Sequence, residues 1–337
     1  MNSPKEASLL PLAGRLILHH ARIITPKGVL PDGWLVALNG RIACVGSGTL
    51  PVIWQPPSSE AAADDAVSMP VDAQGMYLSP GFIDLHTHGA GGHDFMDASP
   101  EAFLGAAATH AAHGTTLLLP TSLASTPGEL DAVLEAFTRA TVEARRGECA
   151  QHGNPTGSAV RANRTTGAWM PGLHLEGPYF SKNQRGAQDP RHIRNPDPDE
   201  YEAILAKCPH LLRWSAAPEL PGALAFGRRL KQCGILPSIG HSDATEDEVA
   251  EAFKNGFTHV THLYSCMSGI TRVNGYRKAG IVESAYLNEE MTVEIIADGA
   301  HLPASLLKLV LKVKGPGRIA LVTDSMRAAG MPEGPSV

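Results

Sequence analysis

The chain has 337 residues, a length that fits one large barrel or two modest domains. Hydrophobic residues make up 43% of it and charged residues 18%, which excludes a disordered chain and allows a sizeable core. The formal net charge of -6 and the 5% of aromatic residues argue against a surface for nucleic acid or anionic lipid. Fifteen histidines are the unusual entry in the composition, so their positions matter most for function.

The cysteines and the first residues bear on the compartment. Five cysteines without any CxxC pair are typical of a reducing environment. Pro11, Gly14 and Arg15 interrupt the first apolar stretch, so we expect no signal peptide. The alanine-rich run at 102–124 contains histidines and Gly114, which disfavours a membrane span. We therefore expect a cytoplasmic protein.

Two different patterns of apolar residues follow one another along the chain. Residues 15–47 alternate short apolar runs with turn signals such as Asn39-Gly40, the pattern of small antiparallel strands and hairpins. A stretch rich in proline, serine, alanine and aspartate at about 51–70 predicts an exposed loop. After Ser79 the pattern changes to apolar runs that alternate with helical spacing.

Eight candidate strands can be assigned in this second part, with helical patterns such as Glu129–Arg145 and Asp247–Asn255 between them. Eight strand–helix units in series predict a parallel (β/α)8 barrel, an α/β fold. The candidate strands are Phe82–His88, Thr115–Thr121, Met170–Glu176, Leu212–Ala217, Leu236–His241, His259–Tyr264, Val293–Asp298 and Ile319–Asp324.

Several of these strands end in ionisable residues, and in such a barrel the carboxyl ends of the strands form the mouth of the active site. His86 and His88, two residues apart in a strand, point to the same face and can hold one metal ion. Glu176, His241 and His262 add ligands suited to zinc or iron, and Asp324 adds a late carboxylate. Without a thiolate, this set indicates a catalytic metal with open positions; solvated or core histidines are the alternative.

Six motifs occur in series and together resemble the N-acetylglucosamine-6-phosphate deacetylases of the amidohydrolase superfamily. The resemblance implies a TIM-like barrel at 79–337 and part of a small β-sandwich at 1–78. It also implies hydrolysis of a sugar acetamide in amino-sugar catabolism. The motifs are PGFIDLHTHGAGGHDFMD (80–97), HLEGPYF (174–180), IGHSDAT (239–245), THLYSCM (261–267), IADGAHLP (296–303) and LVTDSMRAAGMPEG (321–334).

The resemblance also implies roles for the polar strand ends. Glu176, His241 and His262 match the family's main metal ligands, and Asp324 matches its catalytic acid and base. His86 and His88 match the pair that completes a second metal position. We therefore expect one or two divalent ions per subunit, zinc or iron. Such coordination lowers the pKa of a bound water towards about 7, which suits amide hydrolysis.

Substrate-binding positions are implied with some departures from the family. His301 resembles the histidine that helps to hold the sugar phosphate. Ser265 and Cys266 stand where the family often has Asn-Ala, and Gln188, after Ala187, stands where it commonly has histidine. Either Arg272 or Arg277 resembles the phosphate-binding arginine. Because that arginine tends to reach the neighbouring subunit, we expect a homodimer; a solvated basic loop is the alternative.

Family members continue for several dozen residues beyond the point that matches Val337. We therefore expect a barrel truncated after its eighth strand, and an incomplete sandwich. The alternatives to N-acetylglucosamine-6-phosphate deacetylation are action on the galactosamine epimer and an inactive metal-binding remnant. Strand alternation further predicts that His259, three residues before His262, faces the helices outside the barrel.

Overall fold

The computed structural model describes residues 15–38, 40–54, 70–149 and 167–334. The chain divides into two compact units, Met1–Gly81 and Phe82–Val337. Most of the loop predicted at about 51–70 lies outside the described residues, as does Asn39 of the predicted Asn-Gly turn. Among the helices in the described ranges, none is both long enough and apolar enough for a bilayer crossing.

The first unit is a small β-sheet. Strands β1 (Arg15–Thr25), β2 (Gly28–Leu38) and β3 (Arg41–Ser47) form an antiparallel meander. Two short strands, β4 (Val71–Asp72) and β5 (Tyr77–Leu78), pair with β1 in parallel. Ile17, Val36 and Trp54 form the buried core of this unit. The N-terminal β domain expected from the hairpin signals is thus confirmed.

The second unit contains an eight-stranded parallel sheet, which confirms the predicted (β/α)8 fold. Neighbouring strands follow the chain order around the sheet, and a helix covers most of the connections. The strands are β6 (Phe82–Thr87), β9 (Thr115–Ser122), β10 (Leu173–Glu176), β11 (Leu211–Ala216), β12 (Leu236–Ile239), β13 (His259–Val260), β16 (Thr292–Ile296) and β17 (Ile319–Val322). Two small hairpins complete the strands: β7 (Gly89–Ala90) with β8 (His93–Asp94), and β14 (Thr271–Val273) with β15 (Tyr276–Lys278).

The helices begin at capping signals that are visible in the sequence. Ser99 accepts a hydrogen bond from the Ala102 amide at the start of the helix Pro100–Ala112, and Thr245 and Glu248 form a capping box at the start of the helix Glu246–Lys254. The apolar faces of the helices pack on the sheet, where Trp214 is fully buried between aromatic neighbours. The helices are α1 (Pro100–Ala112), α2 (Pro127–Cys149), α3 (Pro198–Lys207), α4 (Ala223–Gln232), α5 (Glu246–Lys254), α6 (Ile281–Leu287) and α7 (Ala304–Lys314).

The predicted strands extend too far at their carboxyl ends in three places that matter for the site. β12, β13 and β17 end at Ile239, Val260 and Val322, before the polar residues predicted to terminate them. The reason is local backbone geometry, because His241, His262 and Asp324 have φ angles of 50°, 28° and 47°. Such left-handed conformations cannot continue a strand.

A polar seam joins the first and last strands of the barrel. Just after β17, the Asp324 amide donates to the His86 carbonyl oxygen at 2.9 Å. Asp84, buried in β6, accepts from the Thr323 hydroxyl at 2.5 Å and from the Thr323 amide at 3.2 Å. Burial raises the pKa of Asp84, while the hydrogen bonds from Thr323 oppose that shift. Asp84 is therefore the side chain that ties the two ends of the sheet together.

We expect Asp84→Ala to lower the free energy of unfolding by about 2 kcal/mol, because it removes the buried carboxylate that accepts hydrogen bonds from the Thr323 hydroxyl and amide. Urea denaturation of the purified protein measures the change. Asp131→Ala removes an aspartate that forms an exposed ion pair with Lys207 and should change the stability by less than about 0.5 kcal/mol. Equal stabilities of the two variants would show that the seam does not depend on Asp84.

Candidate metal centre

Six side chains predicted from the sequence converge at the carboxyl ends of the barrel strands. Glu176 lies at the centre of the group: its Oε1 is 3.0 Å from His262 Nε2 and 3.2 Å from His241 Nε2. The other members approach the same carboxylate, with His86 Nε2 at 3.3 Å and His88 Nε2 at 3.4 Å. The six residues form two sets of potential ligands that meet at Glu176. They are His86, His88 and Asp324, and Glu176, His241 and His262.

The hydrogen bonds of the imidazoles direct one nitrogen of each ring into the cluster. His241 Nδ1 lies 2.8 Å from the Gln184 carbonyl oxygen, and His88 Nδ1 lies 3.1 Å from the Thr121 carbonyl oxygen. A carbonyl oxygen only accepts, so Nδ1 carries the proton in both rings. Nε2 of each ring therefore points at the cluster, as in metal-ligating histidines whose second nitrogen is held by a protein oxygen.

The spacing of the donor atoms fits a divalent metal ion. His241 Nε2 and His262 Nε2 are 3.2 Å apart, close enough for one cation to bind both nitrogens. Bonds of about 2.0–2.1 Å to zinc place tetrahedral donors roughly 3.3 Å apart. In addition, His86 Nε2 is buried and has no hydrogen-bond partner within the part of the chain that the structure describes, although it faces two carboxylates. The residues present therefore fit the implied metal.

The electrostatics of the cluster favour a cation. Burial opposes ionisation of Asp324, but the charge of His86 and the hydrogen bond from His88 outweigh it and lower the pKa of Asp324 to about 2. Burial also disfavours the charged form of His88, yet its contacts with Asp324 and Glu176 raise its pKa to about 9. The charge of Glu176 similarly raises the pKa of His241 to about 10. The carboxylates thus stay ionised at neutral pH, and a metal ion displaces protons when it binds.

Comparison with known proteins places this geometry in a family. Residues 77–331 match the Amidohydrolase family. The chain belongs to the amidohydrolase family. It is 31% identical over 324 residues to an N-acetylglucosamine-6-phosphate deacetylase of Bacillus subtilis (strain 168), which covers 96% of this chain and 74% of the relative. It is 32% identical over 320 residues to an N-acetylgalactosamine-6-phosphate deacetylase of Escherichia coli O157:H7, with 94% and 73% covered.

A solved structure gives the same relationship in three dimensions. It is a mutant N-acetyl-D-glucosamine-6-phosphate deacetylase from Mycobacterium smegmatis in complex with N-acetyl-D-glucosamine-6-phosphate. The match has a TM-score of 0.74 and 28% sequence identity, and it covers 96% of this chain and 74% of that one. The described barrel of this amidohydrolase therefore has the architecture of proteins that bind a sugar phosphate.

A buried ion pair that was not predicted from the sequence lies beneath the ligands of this amidohydrolase. Glu294 on β16 pairs with Arg213 on β11, and both side chains are almost fully buried. Glu294 Oε2 lies 3.4 Å from His86 Nδ1 and accepts from the His262 amide at 3.2 Å. Glu294 thus contacts one residue of each ligand set. The sequence does contain a sign of this ion pair, because each of the two apolar strands, LLRWSA and TVEII, has one ionisable residue in its interior.

The prediction for His259 is wrong. Its Nε2 lies 3.6 Å from Glu294 Oε1, so the ring packs inside the barrel and not against the outer helices. The prediction assumed regular strand alternation from His259 to His262, but β13 ends at Val260 and His262 has a positive φ. Burial lowers the pKa of His259, which favours a neutral ring beside the ion pair.

Gln188, at the position where the family commonly has histidine, contacts the ligand cluster directly. Its amide nitrogen donates to Glu176 Oε2 at 2.7 Å, and its oxygen accepts from the Ala124 amide at 2.7 Å. The side chain is buried, whereas its neighbour Ala187 is exposed. Gln188 therefore holds one oxygen of the central carboxylate.

The other predicted substrate residues lie outside the ligand cluster. Ser265 and Cys266 are half-buried in the turn that follows His262, and Cys266 contributes to the raised pKa of His241 through a side-chain hydrogen bond. His301 is exposed, and its Nδ1 lies 2.8 Å from Asp298 Oδ2. Arg272 and Arg277 pair across the exposed β14–β15 hairpin. Their roles stay predictions.

We expect Glu176→Gln to remove bound divalent metal from the purified protein, because an amide lacks the charge and the second oxygen that serve both ligand sets. Elemental analysis after exhaustive dialysis gives the metal content. Glu200→Gln is the matched control: Glu200 is also largely buried but pairs with Arg194 away from the cluster. Metal retained by Glu176→Gln at the level of the control would contradict the assignment.

Proposed function

We propose that this chain hydrolyses the acetamide of N-acetylglucosamine-6-phosphate to glucosamine-6-phosphate and acetate, as an amide hydrolase in amino-sugar catabolism. The observation that carries the proposal is the convergence of four histidines and two carboxylates at the mouth of the barrel. Support comes from the names of the deacetylase relatives and from the sugar phosphate bound to the mycobacterial structure.

The proposed metal ligands divide between two positions. Glu176, His241 and His262 would hold the first ion, and His86, His88 and Asp324 would complete a second. Nitrogen and oxygen ligands without thiolate suit zinc or iron, and one or two ions per subunit are part of the proposal. A bound divalent ion would polarise the acetyl carbonyl group and supply a water of lowered pKa.

Asp324 is the proposed general base and general acid. Its side chain is 20% exposed, in contrast to the buried Glu176, so it is the carboxylate of the cluster that substrate and water can reach. Its low pKa keeps it ionised before the reaction, ready to take a proton from the attacking water. The carboxyl group then delivers that proton to the departing amine, which is too basic to leave unprotonated.

Substrate binding and assembly complete the proposal. Ala187, Gln188, Ser265, Cys266 and His301 would line the sugar site, and Arg272 or Arg277 would bind the phosphate, since a guanidinium group matches phosphate oxygens. Among the described residues, the exposed β14–β15 hairpin pairs only between its own two strands, which is compatible with an arm that reaches a neighbouring subunit. We propose a homodimer in the cytoplasm, where the free thiols of Cys44, Cys208, Cys233 and Cys266 are compatible with reducing conditions.

We expect Asp324→Asn to lower kcat for acetate release from N-acetylglucosamine-6-phosphate by about 100- to 10,000-fold, because asparagine keeps the shape but cannot shuttle a proton. The assay is run with added zinc or iron. Asp131→Asn, at an exposed position, should retain the parent's rate. Turnover by Asp324→Asn close to that of the control would refute the role of Asp324.

The galactosamine epimer is the second candidate substrate. It is favoured by one observation: the Escherichia coli relative that is named for N-acetylgalactosamine-6-phosphate is as similar to this chain as the Bacillus relative. The ratio of kcat/KM for the two epimers, measured on the same preparation, decides between them. Absence of turnover with both sugar phosphates in metal-supplemented wild-type protein would favour a non-catalytic metal-binding protein.

A further inference from the structure

A second cluster of potential metal ligands lies in the N-terminal unit, which contributes none of the proposed ligands of the barrel. His19 and His20 are consecutive residues on β1, and Asp72 belongs to β4. One donor atom from each residue lies within 4.8 Å of the other two. His19 is half-buried, whereas His20 and Asp72 are exposed. An ion from solution could therefore reach all three side chains.

The backbone deviates from a regular strand where these histidines occur. Consecutive side chains in a strand normally point to opposite faces of the sheet. Here Leu18 of β1 pairs with Leu35 of β2, and Ala21 pairs with Gly33. β1 therefore has one residue more than β2 between the two pairs, which is a β-bulge. His20 lies in this bulge with a φ of 52°, and its ring centroid is 4.4 Å from that of His19. The bulge thus brings both imidazoles to one place.

Hydrogen bonds alone do not give both short contacts of His20 Nδ1 a favourable partner. His20 Nδ1 lies 3.2 Å from His19 Nδ1 and 3.1 Å from Asp72 Oδ1. That nitrogen has a single in-plane position, which holds either a proton or a lone pair. If His20 Nδ1 carries a proton and donates it to Asp72, it has no lone pair to accept from His19. If it instead carries a lone pair that accepts from His19, that lone pair lies close to the negatively charged oxygen of Asp72. A cation among the three atoms gives each of them a favourable partner.

The two short distances of this cluster are close to those in the barrel cluster. There His241 and His262 present nitrogens 3.2 Å apart, at 3.2 Å and 3.0 Å from an oxygen of Glu176. We propose that His19, His20 and Asp72 bind a divalent transition-metal ion such as Zn²⁺ at the surface of the N-terminal unit. Two imidazoles and one carboxylate select zinc, nickel or copper over calcium and magnesium, which prefer oxygen ligands.

The ion would link two strands that have few other connections. β4 is two residues long and pairs with β1 only at Leu18–Val71 and His19–Asp72. The chain then turns, and the Ala73 and Gly75 amides donate to the carbonyl oxygens of His19 and His20 at 2.8 Å and 2.7 Å. Because the ligands come from both strands, bound metal would hold this pairing closed. The site is structural and does not depend on the proposed deacetylation.

Zinc titration with elemental analysis after equilibrium dialysis tests the site in the full chain, with the barrel centre loaded first. The wild type should take up one more Zn²⁺ ion per chain than His20→Asn or Asp72→Asn. Asparagine tolerates the left-handed backbone at position 20, so His20→Asn should preserve the bulge. His210→Asn, at an exposed histidine of the barrel unit, should match the wild type.

Hydrogen exchange gives a readout that a general loss of stability would not mimic. Zn²⁺ should slow exchange of the Ala73 and Gly75 amides in the wild type and in His210→Asn, but in neither ligand variant. Equal zinc uptake by all four proteins would overturn the proposal, and so would loss of uptake in His20→Asn alone. Deacetylase turnover should be the same in all four. If the wild type shows no turnover, the zinc and exchange results still decide on the surface site.

Discussion

The buried carboxylate of Glu176 lies within 3.4 Å of four imidazole nitrogens, and the rest of the site depends on this contact. Burying an ionised carboxylate away from water costs several kcal/mol of desolvation free energy unless nearby positive charge compensates it. The four histidines come from the ends of three different strands, β6, β12 and β13, and Glu176 ends β10. The curved parallel sheet brings these ends to one point, and the seam between β6 and β17 holds its first and last strands together.

Below the ligands, the interior of the barrel is polar where such barrels are usually filled by branched apolar side chains. Arg213 donates to Thr261 and Ser238 as well as pairing with Glu294. The ion pair is costly to bury, and its position explains why it is tolerated. Glu294 contacts His86 through the ring nitrogen that faces away from the cluster, and His262 through its amide. A fixed carboxylate there orients residues of both ligand sets at once.

The sequence was sufficient for the fold class and for the six residues of the cluster, because both depend on local patterns. Strand–helix alternation marks the barrel, and ionisable residues at the ends of apolar runs mark its mouth. Glu294 and Arg213 were missed for a physical reason: each lies inside a strand, and their partnership links positions 81 residues apart. No local pattern encodes such a pair. The contact between Gln188 and Glu176 is equally non-local, since it depends on how the loop after β10 folds back.

The errors in strand length have a cause that bears on metal binding. His241, His262 and Asp324 each adopt a left-handed backbone two residues beyond the end of a strand. A non-glycine residue in that region costs about 1–3 kcal/mol, and the surrounding structure must impose it. The deviation turns each side chain from the regular alternation of the strand towards the ligand cluster. A metal ion that binds only this arrangement stabilises the folded chain, which offsets the strain. Strand periodicity therefore fails at these three residues because the site requires the backbone to leave the strand there.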